Sequence, residues 1–405
     1  MELYFPLVLD GANGTELQKR GYDCSKCTEA WVLEHPEVME QLQREYIEAG
    51  SNIVYAPTFG ANRVKLEENG IFNQVKSFNK QLVAISKDAA DGKALVAGDI
   101  ATTGKFLEPL GDLTFDELYD IYHEQAEALE EAGVDMFAIE TIMTVPDARA
   151  ALLAVKDVSD KPVLVSFTVD ENGRTLTGTD ICAALVIMQG MGIDAFGMNC
   201  STGPAEMLPQ FERLREFAEV PLAVKPNAGL PKVVGDKTVY DCTPEELAGY
   251  TKAFNEAGAC IFGGCCGTGP DHINAVTSSL AAFELRKPSP EHSDKIVCAT
   301  EKDVFILEAG ISADTALKCG ADLEDDIKKA NRSDSEVIVI EIAKDADLDD
   351  FALAQYAIRK PLCIVCDDAK LLEEALRLYQ GRAIYAGDLE TGMLEPLVKK
   401  YGLII

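Results

Sequence analysis

"LEEAGVDMFAIE", residues 129–140, sets the organisation of the chain. Its first half mixes charged and apolar residues as a helix does, and Gly133 stands where such a helix would end in a left-handed cap. "MFAI" then forms a short uninterrupted apolar run, the pattern of a parallel strand buried on both faces. The same cadence returns in "YIEAGSNIVYA" (46–56), "MQGMGIDAFGMN" (188–199) and "FNEAGACIFGG" (254–264), with Gly50, Gly192 and Gly258 at the cap position. Filling the intervals gives eight strand candidates: 7–10, 52–56, 94–98, 135–140, 162–168, 194–199, 221–225 and 259–263. Helical patterns such as "FDELYDIYHEQAEALEEAG" lie between them. Eight strand–helix units within residues 1–285 fit a (β/α)8 TIM barrel, whose usual size is about 250 residues plus insertions. An open doubly wound sheet is the alternative, but no GxGxxG follows the first strand.

The stretch "LRKPSPEHSDK" has the proline, serine and charge of a linker, placed at 286–298. Residues 299–405 carry further strand-like runs, "DVFILEAG", "EVIVIEIA", "PLCIVC", "RAIYAGD" and "GLII", with helices between the later ones. This is too little for a second full barrel and reads as a smaller α/β domain, with the possibility of pairing two chains into a homo-oligomer.

The formal charge of −31, from 37 basic and 68 acidic residues, argues against nucleic acid or an anionic membrane as partner. No run approaches the roughly 18 apolar residues of a membrane span, and the N-terminus shows no basic region of an export signal. Twelve cysteines in that setting point to reduced thiols in the cytoplasm. The pairs Cys24/Cys27 and Cys363/Cys366 read as structural; in the second, strand alternation sends the two side chains to different faces. The four histidines are scattered, without metal-ligand spacing.

In a barrel, residues just past the strand ends form the active face. The chemically loaded residues fall there: Asp10 in "LDGANGTEL", Glu140 in "FAIETIMT", Asn199 and Cys200 in "GMNCSTGP", and Cys265 and Cys266 in "IFGGCCGTGPDHI". The other strands lead into "APTFGANR", "GDIATTG" and "KPNAGLP". Strands six and eight flank strand seven, so Cys200 meets the vicinal pair at one rim. Three thiolates give Zn²⁺ three protein ligands and leave a fourth tetrahedral position free. The alternative is two buried cysteines within a phosphate-binding loop. A zinc–trithiolate centre carries net −1, a poor activator of water but well suited to alkylation of a bound thiol. Glu140 is a strand-end carboxylate suited to a cation or to capping a loop, whereas an Asp before a glycine-rich turn, as at Asp10, often only organises that turn.

"DGANGTEL", "TFGANRVKL", "FAIET", "GMNCS" and "GGCCGT" together resemble the homocysteine S-methyltransferase family over residues 1–285. "GKFLEPLGDLTFDEL" is similar to the homocysteine-binding module of cobalamin-dependent methionine synthases. The resemblance implies that Cys200, Cys265 and Cys266 bind zinc and that the zinc takes homocysteine sulfur. It further implies that Glu140 receives the substrate ammonium, with Asp10, Gly11 and Asn199 nearby, and that methionine is the product.

The methyl donor is less constrained. A betaine-type donor needs an aromatic cage, and Gly60 stands where the ring would be wanted. S-methylmethionine is the alternative to a methyl-corrinoid. Residues 299–405 resemble the first half of a pterin-binding barrel, but the strand ends read "IEIA", "VCDD" and "YAGD" instead of the expected Asp and Asn. No DxHxxG corrinoid motif occurs, so a corrinoid would arrive on a separate protein. A non-catalytic zinc or thiol sensor would share the three cysteines without needing the remaining loops.

Overall fold

The computed structural model describes residues 5–108, 110–234, 237–284, 291–292, 295–308 and 311–405. Each of the eight expected strands forms: β1 (Leu7–Val8), β2 (Ile53–Tyr55), β3 (Leu95–Ala101), β4 (Met136–Ile142), β5 (Val163–Phe167), β6 (Ala195–Asn199) and β7 (Leu222–Lys225). A short antiparallel hairpin, β8 (Lys232–Val234) with β9 (Lys237–Val239), precedes the last of the eight, β10 (Ala259–Phe262). The eight pair in parallel in the order β1-β10-β7-β6-β5-β4-β3-β2.

Asn52 joins the two ends: its backbone N–H donates to Val8 O (2.7 Å) and its Oδ1 accepts from Val8 N (2.9 Å). Ser51 Oγ adds a bond to Leu9 O (3.1 Å), so the sheet is drawn into a barrel. The four expected glycine caps all take positive φ, from 79° to 110°, where a side chain would be strained.

Side chains of alternating strand residues, among them Leu9, Ile53, Met136, Leu164 and Ile261, fill the barrel interior as a packed core. Cys260 belongs to that core as a small apolar residue. A larger core lies between the sheet and the surrounding helices.

Of the expected linker 286–298, residues 286–290 and 293–294 lie outside the described residues, and 296–298 already belong to a strand. The tail opens with an antiparallel pair, β11 (Ile296–Ala299) and β12 (Val304–Leu307), and continues as a parallel sheet. That sheet is β13 (Leu317–Lys318), β14 (Ile338–Glu341), β15 (Leu362–Val365) and β16 (Ile384–Tyr385). Cys363 and Cys366 pack into different apolar clusters, as strand alternation requires.

The tail is bound to the flank of the barrel. Helix Ile181–Gly190, "ICAALVIMQG", is apolar on nearly every side, a composition stable only where both faces are covered. The barrel covers one face, and β11, β12 and helix Thr391–Tyr401 contact the helix from the tail. On the neighbouring helix Val145–Val158, the fully buried Arg149 donates to Leu376 O (2.7 Å), Arg377 O (3.3 Å) and Gln380 Oε1 (3.1 Å). Three acceptors from the tail take up its two terminal nitrogens, while its Nε is buried without a hydrogen-bond partner among the described residues.

Candidate metal centre and substrate cavity

The three cysteines come together at the rim where β6 and β10 end. Their Sγ atoms all lie within 4.8 Å of one another, with Cys200 and Cys266 4.0 Å apart. A zinc–sulfur bond of about 2.3 Å in a tetrahedron separates sulfurs by about 3.8 Å, so the trio is spaced for one small cation. It is the only group of three or more His, Cys, Asp or Glu side chains with that compactness among the described residues. Cys24 and Cys27 stand apart from it, in agreement with a structural reading.

Backbone bonds fix the two loops against each other: Cys265 N donates to Pro226 O (2.8 Å), Cys200 N to Lys225 O (3.1 Å) and Ala228 N to Cys266 O (2.9 Å). Cys200 and Ser201 hold φ of 61° and 65°, and Thr141 at the end of β4 holds 58°. Non-glycine residues occupy this region only when their surroundings impose it. Asn199 is one source of that constraint. Its Oδ1 accepts from Thr141 N (2.9 Å) and Ser166 Oγ (2.7 Å), and its Nδ2 donates to Thr141 Oγ1 (2.7 Å). Asn199 is fully buried, and its Nδ2 also lies 4.0 Å from Cys265 Sγ, so it braces the loops that carry the cysteines.

A cavity of about 260 Å³ opens beside the trio, lined by Gly11, Tyr55, Asp99, Glu140, Lys225 and the three cysteines among others. Gly11 is required by close approach, since a Cβ there would fall 2.8 Å from the Tyr46 ring and 2.9 Å from Thr268 O. Gly60 likewise leaves room for Glu29: a Cβ would fall 2.7 Å from its Oε1, which accepts from Gly60 N at the same distance.

Asp10 and Glu140 share a cation that the sequence reading missed. Lys225 Nζ lies 2.9 Å from Glu140 Oε2, 3.8 Å from Asp10 Oδ1 and 3.7 Å from the centroid of the Tyr55 ring. Burial works against the lysine charge, but Glu140, Tyr55 and Asp10 carry its pKa well above the ordinary value. Asp10 Oδ2 accepts from Tyr55 N (2.8 Å), and burial pushes the Asp10 carboxyl up to about 7 against the pull of Lys225. Burial, and next the charge of Glu140, push Asp99 well above the usual carboxylate range. The available signals were a lysine ending the apolar run "PLAVK" and an aspartate inside "VAGDIA"; each reads in isolation as a strand terminus or an irregularity.

Residues 7–280 match the model of the homocysteine S-methyltransferase family. The chain belongs to that family. Two relatives named methionine synthase, from Mycobacterium leprae and Mycobacterium tuberculosis, are 34% and 33% identical over 295 and 307 residues. Those alignments take in 68% and 71% of this chain but 24% and 25% of the relatives, so the chain spans about a quarter of their length. Among solved structures, the metallated form of the homocysteine methyltransferase MmuM from Escherichia coli shares the fold, with TM-score 0.59 and 24% identity. That similarity covers 68% of this chain and 96% of MmuM, which places the shared fold in the barrel of this homocysteine S-methyltransferase family member. No helix among its described residues is long and apolar enough to cross a membrane.

Proposed function

We propose that the chain is a zinc-dependent homocysteine S-methyltransferase that forms methionine, with Cys200, Cys265 and Cys266 as the metal ligands. The observation that carries this reading is the spacing of three sulfurs, within 4.8 Å of one another, at the mouth of a cavity floored by carboxylates. The donor set fits: three soft ligands match Zn²⁺, and three protein ligands leave a coordination position open to substrate. Zinc bound there would keep a substrate thiol ionised at neutral pH, where a free thiol of pKa about 8.5 is only a few per cent thiolate.

The chain's own residues do the rest. The backbone bonds from Cys265 N to Pro226 O and from Cys200 N to Lys225 O hold the sulfurs in one register. Glu140 offers negative charge to the ammonium end of the amino acid, and Gly11 keeps the first loop close against the cavity. Lys225 limits the mutual repulsion of the cavity's carboxylates.

The proposed donor is a methyl-corrinoid carried by a separate protein. The test has two arms. Metal analysis of the full chain should find one zinc per chain, lost in Cys200→Ala, Cys265→Ala and Cys266→Ala but retained in Cys24→Ser and Cys363→Ser. Stoichiometric zinc in Cys265→Ala would sink the ligand assignment. Homocysteine methylation assayed with a methyl-corrinoid protein, free methylcobalamin, methyltetrahydrofolate and S-methylmethionine then identifies the donor; turnover with S-methylmethionine alone would overturn the corrinoid proposal.

A further inference from the structure

Three carboxylates, Glu29, Asp99 and Glu140, line the cavity, a fourth, Asp10, is buried beside them, and all but Asp99 are already engaged. Glu29 accepts from Gly60 N (2.7 Å) and lies 3.3 Å from Cys27 Sγ. Asp10 accepts from Tyr55 N (2.8 Å) and faces Lys225. Glu140 is paired with Lys225 at 2.9 Å. Asp10 Oδ1 also lacks a hydrogen bond but has Lys225 3.8 Å away, whereas Asp99 has no such neighbour among the described residues. It is 3% exposed, its Oδ1 is buried with no hydrogen-bond partner among the described residues, and none of their ion pairs reaches it.

A buried carboxyl without a partner is costly, and such a group in a native cavity calls for an explanation. Its backbone is well held: Asp99 N donates to Thr58 Oγ1 (3.0 Å), and the Thr58 hydroxyl in turn donates to Asp99 O (2.8 Å). The side chain is therefore presented on a fixed strand position, in β3, toward the same space as Glu140 and the cysteines. What the cavity lacks, among the described residues, is a cation within ion-pair distance of it; the Lys225 charge reaches it only from farther off. Lys225 is on the Glu140 and Asp10 side and is held there by the Tyr55 ring at 3.7 Å.

Resting on the reading of the cavity as a homocysteine site, we propose that Asp99 is the substrate-binding carboxyl that takes the ammonium group, alongside the Lys225-paired Glu140. Sulfur and nitrogen of one amino acid would then be held by groups from different strands, β6 and β10 at one end and β3 at the other. A thiol lacking the ammonium loses nothing at Asp99, so this residue separates an amino-acid thiol from a simple one.

The experiment compares homocysteine with 4-mercaptobutyrate, the same thiol acid without the amine, by calorimetry on the full zinc-loaded chain. Asp99→Asn keeps the shape of the side chain and removes its capacity to ionise against an ammonium group. It should weaken homocysteine by about tenfold or more, the effect of one charge-assisted hydrogen bond, and leave 4-mercaptobutyrate and zinc content unchanged. Unchanged homocysteine affinity, or equal weakening of both thiols, would overturn the assignment. If Asp99→Asn does not fold, Asp99→Ser is measured in the same way, and the same ratio of the two affinities decides. A wild-type protein that binds zinc but neither thiol would instead refute the underlying functional reading.

Discussion

Lys225→Met is the most informative single change outside the cysteines. The lysine is 5% exposed at its side chain, 2.9 Å from Glu140 and 3.8 Å from Asp10, and methionine replaces its stem while deleting the charge. Removing one partner of a buried ion pair costs about 3–5 kcal/mol, because the other is left uncompensated. Here two carboxylates are left, and each can escape the penalty by taking a proton. The cost therefore depends on pH. Asp10 already has its folded pKa raised to about 7 by burial, against an ordinary 3.8. A raised acid binds more protons folded than unfolded, so its contribution to stability falls as pH rises from about 4 to about 7. Lys225 opposes that rise, and its loss carries the decline to higher pH. Urea midpoints of wild type and Lys225→Met at pH 5 and pH 8 check this. The variant should be weaker by about 3–5 kcal/mol at pH 8 and by clearly less at pH 5. An equal loss at both values, or a loss below about 1 kcal/mol at pH 8, would refute the view that Lys225 is the counter-ion of this cavity.

Two other changes probe independent parts of the molecule. Glu140→Gln should retain zinc and weaken homocysteine about tenfold by calorimetry, with a smaller effect on 4-mercaptobutyrate, since its charge serves the amine end. Arg149→Ala leaves the carbonyls of Leu376 and Arg377 and the Gln380 amide oxygen without their donor. At about 1–3 kcal/mol for each buried group left unpaired, hydrogen exchange should show the tail opening at lower free energy while zinc content holds. Unaltered exchange in residues 369–380 would show that Arg149 does not fasten the tail.

The barrel was legible because parallel strands buried on both faces leave continuous apolar runs, and because a glycine closes the helix before several of them. The cysteine trio was legible for a related reason: topology alone brings the ends of β6 and β10 to the two sides of β7. Lys225 was not legible. Its partners lie 85 and 215 positions away along the chain, and a lysine closing a strand ordinarily faces water. Asn199 shows a role that spacing alone does not carry. Its position beside Cys200 invited a substrate contact, but only the bonds to Thr141 and Ser166 reveal that it braces the loops. The tail's place was hidden for want of a one-sequence signal for contact, although the all-apolar "ICAALVIMQG" carried half of that information.

That helix makes the two parts of the chain mutually dependent. A self-sufficient barrel keeps a polar outer face on each of its helices, so that it can stand in water with nothing attached. Ile181–Gly190 has given up that face, and on the tail Gly402 has no side chain where the backbone of Gly190 comes against it. Cutting the chain before residue 291 would open a greasy strip on the barrel flank and turn a catalytic module into a sticky one. Any shuffling of this barrel onto another partner domain must therefore bring along a new polar surface for one helix, or a replacement cover of the same shape.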